Sequence, residues 1–130
     1  VIDPTEDTRQ MRWISAGHGP LLFYDAVAHR FEELAVYDIP LGVEPGWAFH
    51  ETERNEWPEK GVLVLGTDGI WETQNADGRA FGKDGLMGVI RATAALSAAE
   101  ICAAVEERLR EFSGGIAQKD DVTLVVVRFV

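Results

Sequence analysis

Residues 62–69 read Val62-Leu63-Val64-Leu65-Gly66-Thr67-Asp68-Gly69, an apolar run that stops at a carboxylate and a glycine. Residues 61–67 are apolar on both faces, which predicts a central strand rather than a half-exposed one. Two explanations fit the ending. Asp-Gly is a common turn pair, and an acid at a strand end can also hold a metal ion. A second apolar run, "VTLVVVRFV" over residues 122–130, has the reverse polarity: Asp120 and Asp121 precede it. If the two strands are antiparallel neighbours, the end of the first lies beside the start of the second. All three carboxylates then collect at one rim of the sheet. Like charges held close repel unless a cation sits between them. Hard oxygen donors with no histidine or cysteine nearby favour Mg²⁺ or Mn²⁺. Taken residue by residue, the turn at Asp68 and a solvated strand start at Asp120 stay open beside the metal reading.

Working outward, residues 11–16, 21–24 and 30–36 mix aromatic and branched residues as strands do, with "GHGP" at 17–20 breaking the first. Residues 40–46, "PLGVEPG", form a loop. Residues 47–53 alternate apolar and polar, predicting a half-exposed strand. The second half changes period. Asp84 is placed to cap a helix through Leu86, Ile90 and Ala94. Ser97 and Glu100 have capping-box spacing, and Ile101, Val105, Leu109 and Phe112 recur on one helical face. Gly114-Gly115 ends that helix, because glycine accepts a left-handed cap. Several hairpin-like strands, two helices and one last strand make an α+β chain with helices against an antiparallel sheet.

The bulk numbers narrow the function. The 130 residues fit one modest domain or part of a larger one, and 46% hydrophobic content supplies a real core. Twelve Lys and Arg stand against 22 Asp and Glu, a formal charge of -10. That balance argues against nucleic acid and against an anionic membrane surface. Cys102 is the single cysteine, so an internal disulfide and a cysteine zinc site are excluded. A reducing cytoplasm is expected. No apolar run approaches the roughly 18 residues of a membrane span. The opening "VIDPTEDTRQ" lacks both an initiator methionine and an apolar signal core. A fragment of a longer protein is expected.

"WISAGHGPLL", "PLGV", "GVLVLGTDGIWETQNADGRAFG" and "KDDVTLVVVRF" occur here in that order. Together they resemble the C-terminal half of the SpoIIE/RsbU-type branch of the PP2C serine/threonine phosphatases. The likeness runs over nearly all of residues 1–130. It implies part of an α-β-β-α sandwich with two metal ions at the junction of its sheets. Mg²⁺ or Mn²⁺ would activate a water that attacks the phosphorus of phosphoserine or phosphothreonine. Carried over by residue, Asp68 and Asp120 become metal ligands. Asp121 becomes an outer partner steering Asp120, and Gly69 lets the backbone turn close to the metals. The resemblance further implies a phosphorylated anti-sigma factor antagonist as substrate and a sensor domain upstream.

One element of the family pattern has no counterpart. The first metal-binding acid, in an Asp-x-x-Gly-His-Gly type motif, is not found, and Asp3 aligns with a hairpin instead. This segment is therefore expected to bind one ion weakly or none, to be inactive alone, and to expose sheet edges through which a homodimer could form. Two rival readings stand beside the enzyme: a non-catalytic interaction module, and a structural α+β domain with turn acids. Among the other candidates, His18 is expected to bond to backbone, and His29 and His50 to lie at the surface. Trp13, Trp47, Trp57 and Trp71 are expected mostly in the core. Glu72 reads as a local structural partner and Cys102 as an inert, half-buried thiol. Lys83 and Lys119 could meet a phosphate or simply be solvated.

Overall fold

The computed structural model describes residues 3–4, 10–34 and 38–129. Six strands come first: β1 (Asp3–Pro4), β2 (Met11–Trp13), β3 (Leu21–Asp25), β4 (Arg30–Leu34), β5 (Thr52–Arg54) and β6 (Gly61–Gly66). Helices α1 (Asp68–Trp71), α2 (Gly82–Thr93) and α3 (Ala98–Ser113) follow, and β7 (Leu124–Phe129) closes the order. The strands form two antiparallel sheets, ordered β4-β3-β6-β7 and β1-β2-β5.

Strand β6 is central, as its two apolar faces predict. Its alternation divides the core, because successive side chains point to opposite faces. Val62 and Val64 join Leu22 and Tyr24 under Leu86, Ile90, Ile101 and Val105 of the helices. Leu63 points the other way, into a second cluster with Met11, Trp13, Phe23 and Trp57. The layers are therefore small sheet, main sheet, helices. Phe129 stacks on Trp57 at 5.1 Å, and Phe23 meets Trp57 edge-on at 4.8 Å. The Arg54 guanidinium lies 4.5 Å from the Trp57 ring and covers it.

Ser97 and Glu100 form the expected capping box, each bonding the other's backbone amide. Gly114 takes the left-handed cap at φ 59°. Ser97→Ala is expected to destabilise the chain by about 1 kcal/mol, read as a lower midpoint in urea at unchanged slope.

Several expectations need correction. Asp84 does not cap α2; the helix starts at Gly82 with Phe81 at the cap, and Asp84 sits inside the first turn. The strand expected over 47–53 is present only at Thr52–Arg54. The first hairpin strand stops at Trp13 rather than residue 16. Residues 35 and 36, the last of the strand expected over 30–36, lie outside the described residues, as does residue 130 of the strand expected over 122–130. β7 is half-buried rather than buried, because among the described residues it pairs with β6 alone, at the end of its sheet. A third helix, α1, occupies what reads as a simple Asp-Gly turn. The Asp3 hairpin is present as the pairing of β1 with β2.

Candidate functional site

The site grows from the pairing of β6 and β7. Gly66 lies opposite Leu124, so the residues leaving β6 meet those entering β7. Thr67 fastens the two segments. Its amide donates to the Thr123 carbonyl at 3.1 Å. Its hydroxyl donates to the Asp121 carbonyl at 3.0 Å and accepts from the Thr123 amide at 3.0 Å. The sequence reading gave Thr67 no role. Its signal was a hydrogen-bonding side chain at the last position of an otherwise apolar strand.

Gly69 then brings the chains together. A Cβ on it would overlap the Asp121 carbonyl oxygen and fall 3.0 Å from the carbonyl carbon. The close approach is thus to the 120–121 backbone, and glycine is required for space rather than for an unusual dihedral angle. Asp68 and Asp120 begin from these two fastened segments, at one rim of the main sheet. Asp68 opens α1, where its Oδ1 accepts the Gly69 amide at 3.1 Å and a negative charge suits the positive end of the helix. Asp120 Oδ1 accepts the Asp121 amide at 2.8 Å. Asp121 acts through its backbone, its amide holding Asp120 and its carbonyl holding Thr67. All three aspartates are exposed.

Among the described residues no group of three or more His, Cys, Asp or Glu is gathered to hold a metal ion. The donors present are two exposed carboxylates and nearby backbone carbonyls. That set suits Mg²⁺, which is held by one or two carboxylates and keeps several waters.

The remaining candidates are spread over the molecule. His18 Nδ1 lies 3.0 Å from the Gly19 carbonyl, a backbone contact as expected. His29 contacts the Tyr24 hydroxyl at 3.1 Å in the β3–β4 turn. His50 is not on a strand; it sits in a loop beside Asp38. Trp13 and Trp57 are core and Trp71 packs against it, but Trp47 is exposed. Cys102 is half-buried. Glu72 caps α1 through its own amide, which donates to the Asp68 carbonyl at 2.8 Å. Lys83 pairs with Glu33 at 2.9 Å. Lys119 donates to Gln74 Oε1 at 2.7 Å, across a cleft bounded by α3 and residues 116–122.

A family model described as Stage II sporulation protein E (SpoIIE) matches residues 1–130. No curated protein matches the chain. Among solved structures, the SiaA-PP2C domain of Pseudomonas aeruginosa superposes with a TM-score of 0.77 at 24% identity, over 95% of this chain and 48% of that one. The phosphatase domain of the cell fate determinant SpoIIE from Bacillus subtilis gives 0.65 at 16% identity, over 99% and 55%. The RsbU and RsbW domains of a Mycobacterium tuberculosis protein give 0.62 at 23% identity, over 92% and 32%. These likenesses are of fold, an α+β arrangement of antiparallel sheets and helices. The chain spans about half the length of the first two structures and a third of the last.

Proposed function

The chain belongs to the SpoIIE family of PP2C-type phosphatases, and on that premise we propose that it is the C-terminal, acid-bearing portion of a metal-dependent protein serine/threonine phosphatase. One observation carries the reading. Two strands distant in sequence deliver Asp68 and Asp120 to a single rim, where Thr67 and Gly69 lock their backbones together. A turn acid would need no such fastening to a second acid-bearing segment.

In this reading Asp68 and Asp120 hold Mn²⁺ or Mg²⁺. When bound, the ion supplies positive charge against phosphoryl oxygens and lowers the pKa of water. The chain's own part is positional. The Asp121 amide orients the Asp120 carboxylate, and Thr67 fixes the spacing between the two segments. The substrate is a phosphoserine or phosphothreonine protein, an anti-sigma factor antagonist by family resemblance. The first metal-binding acid and a sensor domain lie elsewhere in the longer protein, and this segment alone is inactive. The expected compartment is the cytoplasm; among the described residues no helix is long and apolar enough to cross a membrane. The outer edge of β7, which among the described residues is paired on one side only, is where a homodimer would form.

The test is release of inorganic phosphate from a serine-phosphorylated anti-sigma factor antagonist by the full-length protein. Release is expected with Mn²⁺ and abolished by EDTA. No release with Mn²⁺ would favour the non-catalytic interaction module, and release that persists in EDTA would defeat the metal reading.

A further inference from the structure

The two lysines that could meet a phosphate stand in different surroundings. Lys83 is neutralised by Glu33, in an ion pair at 2.9 Å. Lys119 lies one residue before Asp120 and bonds an uncharged group, the Gln74 side-chain oxygen at 2.7 Å. Both ends of that bond are anchored to the acid-bearing rim. Gln74 follows Thr73, whose hydroxyl donates to the Gly69 carbonyl at 2.7 Å and whose carbonyl accepts the Phe81 amide at 2.8 Å. On the other side, a Cβ on Gly69 would fall 3.4 Å from the Asp120 carbonyl oxygen. Lys119 and Gln74 therefore face each other across one cleft, with Gly69 and Asp120 in its wall.

The charges around that cleft are unequal. Glu72, Glu106, Glu107, Asp120 and Asp121 border it, against Arg110 and Lys119. Arg110 is held by Glu107 at 2.6 Å. Among the described residues Lys119 is thus the cation of the cleft whose hydrogen-bond partner carries no charge. An ammonium has three N–H donors, and Gln74 takes one of them. Lys119 keeps its charge and two donors for an anion.

We propose that Lys119 binds the phosphoryl group of the substrate, beside the ion held by Asp68 and Asp120. The proposal rests on the phosphatase reading. The two carboxylates neutralise a divalent ion at the rim, and Asp121 and Glu72 border the same cleft. Without a further cation, a phosphoryl dianion meets a rim with no net positive charge, in a chain whose formal charge is -10. A lysine supplies a compact point charge on a flexible stem, and its charge-assisted bonds to phosphate are about twice as strong as neutral ones. Gln74 parks the ammonium at the cleft until an anion takes it over. Inorganic phosphate, the product, presents the same oxygens and takes the same place. A latch between the two lips would need Gln74 as much as Lys119, whereas a phosphate site needs only the ammonium.

The experiment titrates the full-length protein, Lys119→Met and Gln74→Ala with inorganic phosphate by calorimetry, each with Mg²⁺ present. The dissociation constant is expected to rise roughly 10- to 100-fold in Lys119→Met, as for a lost hydrogen bond to a charged group. In Gln74→Ala it is expected to stay within about twofold of the parent. Turnover of para-nitrophenyl phosphate should follow, with kcat/KM lowered by a similar factor in Lys119→Met alone. Mg²⁺ titrated without phosphate is expected to bind Lys119→Met no more weakly than the parent, because removing one cation from an acidic rim does not repel another. Equal loss of phosphate affinity in both variants, or weaker Mg²⁺ binding in Lys119→Met, would make the lysine a latch that only positions Asp120. Unchanged phosphate affinity in Lys119→Met would leave it a solvated side chain. If the unaltered protein hydrolyses no phosphoester with Mg²⁺ or Mn²⁺, the phosphatase reading itself fails and takes the role of Lys119 with it.

Discussion

Asp68→Ala or Asp120→Ala, introduced singly into the full-length protein, is expected to lower Mn²⁺-dependent phosphate release by more than about 100-fold. Losing an outer partner of a metal ligand already costs roughly 10- to 100-fold, and these residues are read as ligands themselves. Each removal takes away an anionic oxygen donor that water replaces without charge. The two losses should not multiply, because the residues act as one unit. The double variant is expected to be about as inactive as either single one. Stability should barely move. Both side chains are exposed, and among the described residues each accepts one neighbouring amide, worth about 1 kcal/mol at a surface. Calorimetric titration with Mn²⁺ separates the alternatives without any turnover. Heat that disappears in both variants supports the metal site, whereas equal heats in parent and variants would leave the aspartates as turn acids.

The apolar runs made the sheet readable. β6 carries side chains buried on both faces, and that pattern has one common structural solution, a central strand. The capping box at Ser97 was readable because both partners lie within one helical turn. What escaped notice depended on partners far along the chain. Residues 47–51 alternate like a strand, yet Asp38 draws the Trp47 indole and the His50 amide into a loop. Nothing local to 47–51 announces an acceptor nine to twelve residues upstream. α1 was hidden because Asp-Gly is equally good turn chemistry. Its helical bonds, such as the Glu72 amide to the Asp68 carbonyl, involve backbone that the sequence does not distinguish. β7 reads as buried because its composition is that of a buried strand, but composition does not say which strand ends a sheet. The aspartates at the rim were readable as types and spacing. The fastening by Thr67 and Gly69 was not, since it joins segments more than 50 residues apart.

Gly69→Ala tests that fastening against a matched control, Gly88→Ala. Both glycines lie within helices, α1 and α2; in the interior of α2 alanine carries an intrinsic gain of about 1 kcal/mol, and in the single turn of α1 less. The surroundings decide the sign. A Cβ at Gly88 meets nothing within 4 Å, and Gly88→Ala is expected to stabilise the chain by up to that amount. At Gly69 the obstacle is the Asp121 carbonyl, which is backbone and cannot swing aside as a side-chain tip would. Overpacking of this kind costs about 1–3 kcal/mol, so the net effect is a loss. Relief requires residues 120–123 to move away, carrying Asp120 with them and stretching the bonds from Thr67. A displacement near 1 Å at a reacting centre costs about 100-fold in rate. Gly69→Ala in the full-length protein is therefore expected to lose about 100-fold in phosphate release while remaining folded, with Gly88→Ala unchanged in rate. Amide exchange at Thr123, whose N–H is held by Thr67, should quicken in Gly69→Ala alone. Parent-like stability and turnover in Gly69→Ala would mean that the two acid-bearing segments need no close contact to work.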